Sequence, residues 1–456
     1  MDTAGSYPSR RGEDFSEELA GKGWYHSFAL PDGTVIQGYN RLEVLNERYA
    51  RLPIPRSLAG RRVLDIGAWD GWFSFEAERN GAGVTAVDCV EVANFHTIHR
   101  ALSSRVEYRI LDFYDLPQSG LGPYDFVFFL GVLYHLKHPL LALEIVCALT
   151  TDTAIVESFV TDADTWREHS DEIPAMEFYE TDELGNQLDN WIGPSVGCLL
   201  AMCRAAGFAR VELLYARRHH AGVACHRTWE PLPEDAKQEP PELIAVSNTR
   251  TFGINFFTRK EEYVSCWFRT SMGAVARDEL RLEIAGFGIR ALYVKRQTDD
   301  TWMANFRLPP GLRPGWNEVR LRLAQSHFGS SHRIAVDIPL HVRQLVVKGV
   351  RDGTTWSDEG IRVDGAKAVL SCWVHGLPEN ADRANVYTRL GEAILGIEYV
   401  GEPDAQGLRQ INATVSTSVA SGVHPLIVEC GGVKSDPWPV SVAGGDTVPN
   451  CIERNQ

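Results

Sequence analysis

No stretch of this sequence approaches the ~18 consecutive apolar residues of a membrane-crossing helix, and its first 20 residues are polar and charged rather than a basic start followed by an apolar run. Membrane-spanning and secretory-leader readings drop out, and a cytoplasmic protein is expected. Paired cysteines are missing too. The nine cysteines (89, 147, 198, 203, 225, 266, 372, 430 and 451) include no Cys-x-x-Cys spacing, so neither a zinc cage nor a dense disulfide framework is expected and no metal is assigned. Cys372 and Cys430 are spaced to suit a bridge between two sheets, but a cytoplasmic address favours reduced, packed thiols.

Basic residues are short in one half of the chain. Residues 1–230 hold 20 Lys+Arg against 33 Asp+Glu, a balance of −13; the total of −15 leaves 25 against 27, or −2, for the rest. An enzyme that meets phosphates needs a basic surface, so this balance counts against a nucleic-acid partner. With 44% hydrophobic and 23% charged residues the composition is globular, and 456 residues exceed one ordinary core.

Apolar runs and helical patterns alternate in the first half, the order that builds a parallel sheet covered by helices. Strands are expected at residues 63–66, 84–87, 106–111, 126–130 and 154–160, with helices after Gly71 and over 142–149. An acidic stretch, 162–189, is followed by a helix over 195–206 and a last strand over 211–215. A segment rich in Pro and charge, 229–242, reads as a linker, and a chain ending near Pro231 is expected to stay folded.

Beyond the linker alternating strands dominate, at residues 263–268, 280–284, 317–323 and 333–338. Ser265-Cys266-Trp267 recurs as Ser371-Cys372-Trp373, and Gly315-Trp316-Asn317-Glu318-Val319 has an echo in Gly422-Val423-His424-Pro425-Leu426. Two copies of about a hundred residues fit a pair of β-sandwiches of roughly seven strands each. Both recurring tryptophans are expected in the cores.

The chemistry gathers in the first half. Asp65-Ile66-Gly67-Ala68-Trp69-Asp70-Gly71 combines a strand end, a tight turn and a helix start, where glycine lets the backbone approach a ligand. A dinucleotide fingerprint wants a second glycine where Trp69 stands, so a ligand without a pyrophosphate fits better. Asp88 ends the second strand, where a carboxylate can hold both hydroxyls of a ribose. Asp112 and Phe113 end the third, placing an acceptor and an apolar contact for an adenine.

This constellation resembles the class I S-adenosylmethionine-dependent methyltransferases. Leu130-Gly131-Val132-Leu133-Tyr134-His135, running on to Pro139, is similar to a segment of the enzymes that carboxymethylate the wobble uridine of tRNA and of their relatives. So are Trp24-Tyr25-His26, Glu157-Ser158-Phe159 and Asn190-Trp191-Ile192-Gly193-Pro194-Ser195, so the resemblance covers residues 24–228. It implies that Gly67, Asp88, Phe113, Leu130 and Tyr134 line an S-adenosylmethionine site covered by Trp24; the strand-end and turn reading above adds Asp65, Gly71 and Asp112. In one respect the chain departs. The tRNA enzymes use a carboxylated cofactor and place a lysine where His26 stands here, so ordinary S-adenosylmethionine is expected.

His135 stands where a methyl acceptor must arrive and is either a proton acceptor or a loop anchor; Tyr134 either donates to the cofactor or packs. The acidic stretch is a solvated face or a lid that repels phosphates, with Trp166, Phe178, Tyr179 and Trp191 as apolar surface or core. The expected architecture is therefore α/β: a Rossmann-like methyltransferase domain over 1–230, two immunoglobulin-like β-sandwiches over 243–340 and 341–445, and a tail over 446–456. The expected activity is methyl transfer to oxygen or nitrogen of a small molecule or glycan. A tRNA-modifying enzyme and a binding protein with an inactive methyltransferase domain are the rivals.

Overall fold

A computed structural model describes residues 23–168, 173–232, 236–298, 300–363 and 368–444. The expected tail over 446–456 lies outside the described residues, as do positions 233–235 of the expected linker.

The first half opens with a small hairpin, β1 (Phe28–Ala29) and β2 (Val35–Ile36), and helix α1 (Leu42–Ala50). Five parallel strands follow: β3 (Arg62–Ile66), β4 (Gly83–Asp88), β5 (Glu107–Ile110), β6 (Tyr124–Leu130) and β7 (Thr150–Phe159). A short antiparallel pair, β8 (Met176–Phe178) and β9 (Ile192–Pro194), precedes the hairpin of β10 (Arg210–Arg217) and β11 (His220–His226). The seven-stranded sheet runs β10-β11-β7-β6-β3-β4-β5, so β11 inserts antiparallel between β7 and β10.

Both faces are covered, and for that reason the central strands are mostly apolar. On β6, Phe126 and Phe128 pack on one side with α2 (Trp72–Arg79) and α3 (Ala93–Ala101). Val127 and Phe129 pack on the other with α4 (Pro139–Leu149) and α5 (Val196–Ala205). This is the Rossmann-like fold expected, with strand positions that differ by a few residues at most. Strand β11 is the addition. Its turn residues Arg218 and His219 both take left-handed backbone, φ 49° and 65°, the geometry of a tight hairpin but without the Asn or Gly that would announce it.

Residues 242–336 form a four-stranded and a five-stranded sheet around one apolar core. Residues 346–443 repeat the plan in a nine-stranded sheet joined through Ala393–Val400, around a core of their own. Corresponding positions make the same contacts. Ser265 Oγ donates to Asn305 Oδ1 at 2.9 Å, and Ser371 Oγ to Asn412 Oδ1 at 2.9 Å. Cys372 and Cys430 are free, buried thiols. The recurring tryptophans correct the expectation of core positions: Cys266 and Cys372 point inward at 0% exposure, so alternation turns Trp267 and Trp373 to the outer face, where both are half-buried.

The segment beyond β11 is not a free linker. Arg227 is fully buried, its guanidinium over the Phe287 ring at 3.9 Å and donating to the Pro310 carbonyl at 2.7 Å. Trp229 donates through Nε1 to the Leu282 carbonyl at 2.7 Å, and the Gly288 N–H to the Arg227 carbonyl at 2.7 Å. The second unit thus covers apolar surface of the first, so a chain ending near Pro231 would lose these contacts. Such a shortened chain should melt below the full-length protein, exposing Trp229 alone being worth about 2 kcal/mol. Equal melting midpoints for the N-terminal unit in the two proteins would contradict this.

Candidate active site

Parallel strands end on one edge of the sheet, and the sequence puts its chemistry there. After β3 the chain turns through Gly67 (φ 73°), Trp69 (φ 53°) and Gly71 (φ 86°) into α2. A Cβ at Gly71 would meet Phe95 and Phe75 at 2.5 to 2.7 Å, and one at Gly67 would collide with Val132, so both glycines are required by close approach as well as by φ. Trp69 takes the left-handed backbone that a glycine would adopt there, with its side chain 49% exposed. A bulky residue held in this region marks a site that the surroundings over-determine. Sequence reasoning noted Trp69 only as a missing glycine.

Asp65, on β3, is buried and accepts from Ser74 Oγ at 2.6 Å. Asp88, the last residue of β4, is buried and accepts the Trp69 N–H at 3.0 Å; its second oxygen has only a long contact, 3.4 Å, with the Val90 N–H. Asp112 caps the short helix that starts at Phe113, accepting the Tyr114 N–H at 2.8 Å. Phe113 is buried against Phe129, ring centroids 5.5 Å apart. Leu130 ends β6. Asp88 and Asp112 both act on the Cys89 thiol, which burial first and then these two charges push up.

The segment before the sheet is clamped onto this edge. Asp70 is fully buried and accepts the N–H groups of Tyr25 at 3.1 Å and His26 at 2.9 Å, and its other oxygen contacts His26 Nδ1. Trp24 is buried against Phe28 and fixed by the Tyr39 N–H on its carbonyl. His26, which stands at the lysine position of the tRNA enzymes, is 7% exposed and committed to Asp70. No sequence signal announced that pair, which spans 44 residues.

Tyr134 and His135 lie beyond β6, under the acidic stretch. The Tyr134 carbonyl accepts the Trp191 N–H at 2.8 Å, and His135 Nδ1 faces the Asp189 carbonyl at 3.2 Å and its carboxylate at 3.4 Å. Burial, with Tyr25, Glu157 and Asp189 adding to it, pushes the Tyr134 hydroxyl up to about 12, so it stays protonated as a donor at neutral pH. Of the four aromatics of this stretch, Trp166 packs against the core, Tyr179 is buried, Phe178 is 70% exposed, and Trp191 lies under the Lys137 ammonium at 4.4 Å. Among the described residues no cluster of three His, Cys, Asp or Glu side chains is placed to hold a metal.

Sequence reasoning missed a second cluster at the end of β7. Glu157 Oε2 accepts from Arg48 Nη2 at 2.6 Å and from the Tyr215 hydroxyl, joining α1, β7 and β10. His220 lies alongside; burial lowers its pKa, Glu157 opposing, and its Nδ1 has no hydrogen-bond partner. Phe159 connects the two groups, 6.5 Å from both Tyr134 and His220.

Residues 37–212 match the model of a methyltransferase domain family. The N-terminal part of this chain thus resembles a methyltransferase domain. A tRNA U34 carboxymethyltransferase of Pseudomonas fluorescens is 30% identical over 174 residues, 36% of this chain and 51% of that protein. A ubiquinone biosynthesis O-methyltransferase of Xanthomonas oryzae is 37% identical over 86 residues, 18% of this chain and 35% of that one. The chain thus spans about half the length of the first of these relatives. Among solved structures, the N-terminal domain of EvdMO1 with S-adenosylhomocysteine and D-fucose is 20% identical, with 46% of this chain and 93% of that one covered and a TM-score of 0.35.

S-adenosylmethionine is the cofactor that goes with a methyltransferase domain, and the residues fit it. Asp88 retains lone pairs for ribose hydroxyls after accepting from Trp69, Phe113 offers an apolar face, and a carboxylate-rich edge suits a ligand carrying a sulfonium and an ammonium.

Burial drives the Asp65 carboxyl from 3.8 up to about 6. Its folded-state pKa lies above the unfolded value, so its contribution to stability is complete below pH ~4 and is lost as pH rises through ~6. Asp65→Asn should remove that dependence and exceed the wild type by up to about 3 kcal/mol at pH 7.5. Urea titrations at pH 4 and 7.5 check this; a difference between the two proteins that does not change with pH would remove Asp65 as its source.

Proposed function

We propose that this protein transfers the methyl group of S-adenosylmethionine to an oxygen or nitrogen of a small molecule or glycan. The supporting observation is the edge where Asp88 ends β4 and Asp112 follows β5 as a helix cap, beside the left-handed Trp69 turn. In this reading Asp88 holds the ribose hydroxyls, Asp112 and Phe113 take the adenine, and Gly67 and Leu130 line the site. Asp65 and Gly71 fix the turn, and Trp24 closes it. When bound, the cofactor supplies an electrophilic methyl group.

The acceptor comes from the side of Tyr134, His135 and the Glu157 cluster. With Nδ1 donating to Asp189, His135 has Nε2 free to accept the acceptor's proton, and Tyr134 remains a donor that orients either ligand. Holding the acceptor in line with the methyl group supplies most of the acceleration. The acid excess of residues 1–230 supports an acceptor without phosphates over RNA. We further propose a cytoplasmic protein whose units follow the expected boundaries, 1–230, 243–340 and 341–445, the latter two immunoglobulin-like. The free buried thiols support that address, and no described helix is long and apolar enough to cross a membrane.

Asp88→Asn keeps an acceptor for the Trp69 N–H and loses the charge. Cofactor affinity should fall at least about tenfold with little change in melting temperature, and calorimetry that finds an unchanged Kd would remove Asp88 from the site.

The commitment of His26 to Asp70 bears on which cofactor is used. A carboxylated cofactor brings a negative charge to an edge where His26 is already paired with Asp70, so S-adenosylmethionine should win a competition titration at pH 7.5. His26→Lys should leave that preference in place, because the ammonium would pair with Asp70. Preference of the wild type for the carboxylated compound would return the tRNA reading, which the Pseudomonas relatives favour by name.

A further inference from the structure

The two β units present the same side chains on the same outward face. Ser265, Trp267 and Asn305 of the first correspond to Ser371, Trp373 and Asn412 of the second, in the same register. Tyr293 and Tyr399 also correspond, each placed opposite the asparagine just after a bulge in its strand. Even the loop after the first strand is repeated: the N–H of Phe252 donates to the Asn248 carbonyl and that of Trp356 to the Asp352 carbonyl, with left-handed φ of 58° and 62°. Core packing does not account for a set that faces outward.

The copies differ in what surrounds the set. Phe252 lies near the Arg383 guanidinium of the following unit, at 5.5 Å, and Met303 stands beside Trp267. In the second copy Trp356, 52% exposed, lies 6.3 Å from Trp373 with their planes at 42°, and Gln410 takes the place of Met303. Tyr399 is 51% exposed on the same face. Asn412 Oδ1 accepts from Ser371 Oγ at 2.9 Å and from Gln410 Nε2 at 2.8 Å. Those two bonds use Asn412 Oδ1 and a Gln410 N–H, and leave the Asn412 amide N–H donors and the Gln410 carbonyl oxygen for a ligand, one donor group and one acceptor.

We propose that this face of the second β unit binds a neutral oligosaccharide. Sugar rings have apolar C–H faces that stack on Trp356, Trp373 and Tyr399, and hydroxyls that both donate and accept, which the paired amides of Asn412 and Gln410 meet. The near balance of charge beyond residue 230, 25 basic against 27 acidic residues, suits a ligand without charge. The site is separate from the methyl-transfer edge and does not rest on the reading of that edge.

The full-length protein, without S-adenosylmethionine, is applied to an array of immobilised neutral glycans, and the best ligand is then titrated by tryptophan fluorescence. A subset of the array should be retained, and Trp356→Ala and Tyr399→Ala should each weaken binding about tenfold or more without lowering the melting temperature. Gln410→Met, which copies the first unit, should weaken it too. Absence of retention, or retention that all three variants leave unchanged, overturns the proposal. So does a dimer in sedimentation that Trp356→Ala dissociates while glycans leave it intact, since the face would then belong to a second copy of the chain. Should Asp88→Asn abolish cofactor binding while the glycan titration is unaffected, the independence of the two sites is established.

Discussion

One buried carboxylate, Asp70, ties the segment before the sheet to the turn after β3. It accepts two backbone N–H groups and contacts an imidazole, so its charge is fully met at 0% exposure. A buried charge left without such partners would cost several kcal/mol, and only one placement of Tyr25 and His26 supplies them. The position of Trp24, the course of the chain into α1 and hence the meeting of Arg48 with Glu157 follow from that clamp. The turn in turn depends on Asp88, whose acceptance of the Trp69 N–H steadies the left-handed backbone. The ligand edge is therefore built from acids that also hold its geometry.

The five parallel strands were legible because strands buried on both faces are written as short, nearly continuous apolar runs, and the acids at their ends interrupt those runs. What remained hidden depends on distance or on sign. The His26–Asp70 pair and the Arg48–Glu157–Tyr215 cluster join residues 44 to 109 positions apart, and no local pattern marks them. Trp267 and Trp373 failed for the second reason: alternation gives two sets of residues but not which set faces the core, and a conspicuous tryptophan invites the wrong assignment. The small thiols beside them fill the interior instead.

The second unit does mechanical work for the first. Arg227 places a guanidinium between Phe287, the Pro310 carbonyl and Cys147, and Arg307 reaches back to the Ala205 carbonyl at 2.8 Å at the end of α5. Two of these acceptors are backbone oxygens, which keep their charge distribution at any pH, so the contact holds wherever the fold does. Helices α4 and α5 are thereby braced on the face opposite α1. Because α4 begins at Pro139, shortly after Tyr134 and His135, the brace also anchors one end of the loop at which an acceptor is proposed to enter.

The acidity of the first half gains a physical meaning at the same edge. Asp65 and Asp88 act on each other, and Asp88 and Asp112 both act on Cys89, so like charges converge on adjoining strand ends. At Asp65, burial first and the neighbouring Asp88 charge after it raise the carboxyl and work against its ionised form. A cationic ligand would interact favourably with these carboxylates. The same field repels a phosphate or an additional carboxylate brought by cofactor or acceptor. Charge distribution and site geometry therefore support the same proposal, a cationic cofactor beside a neutral acceptor.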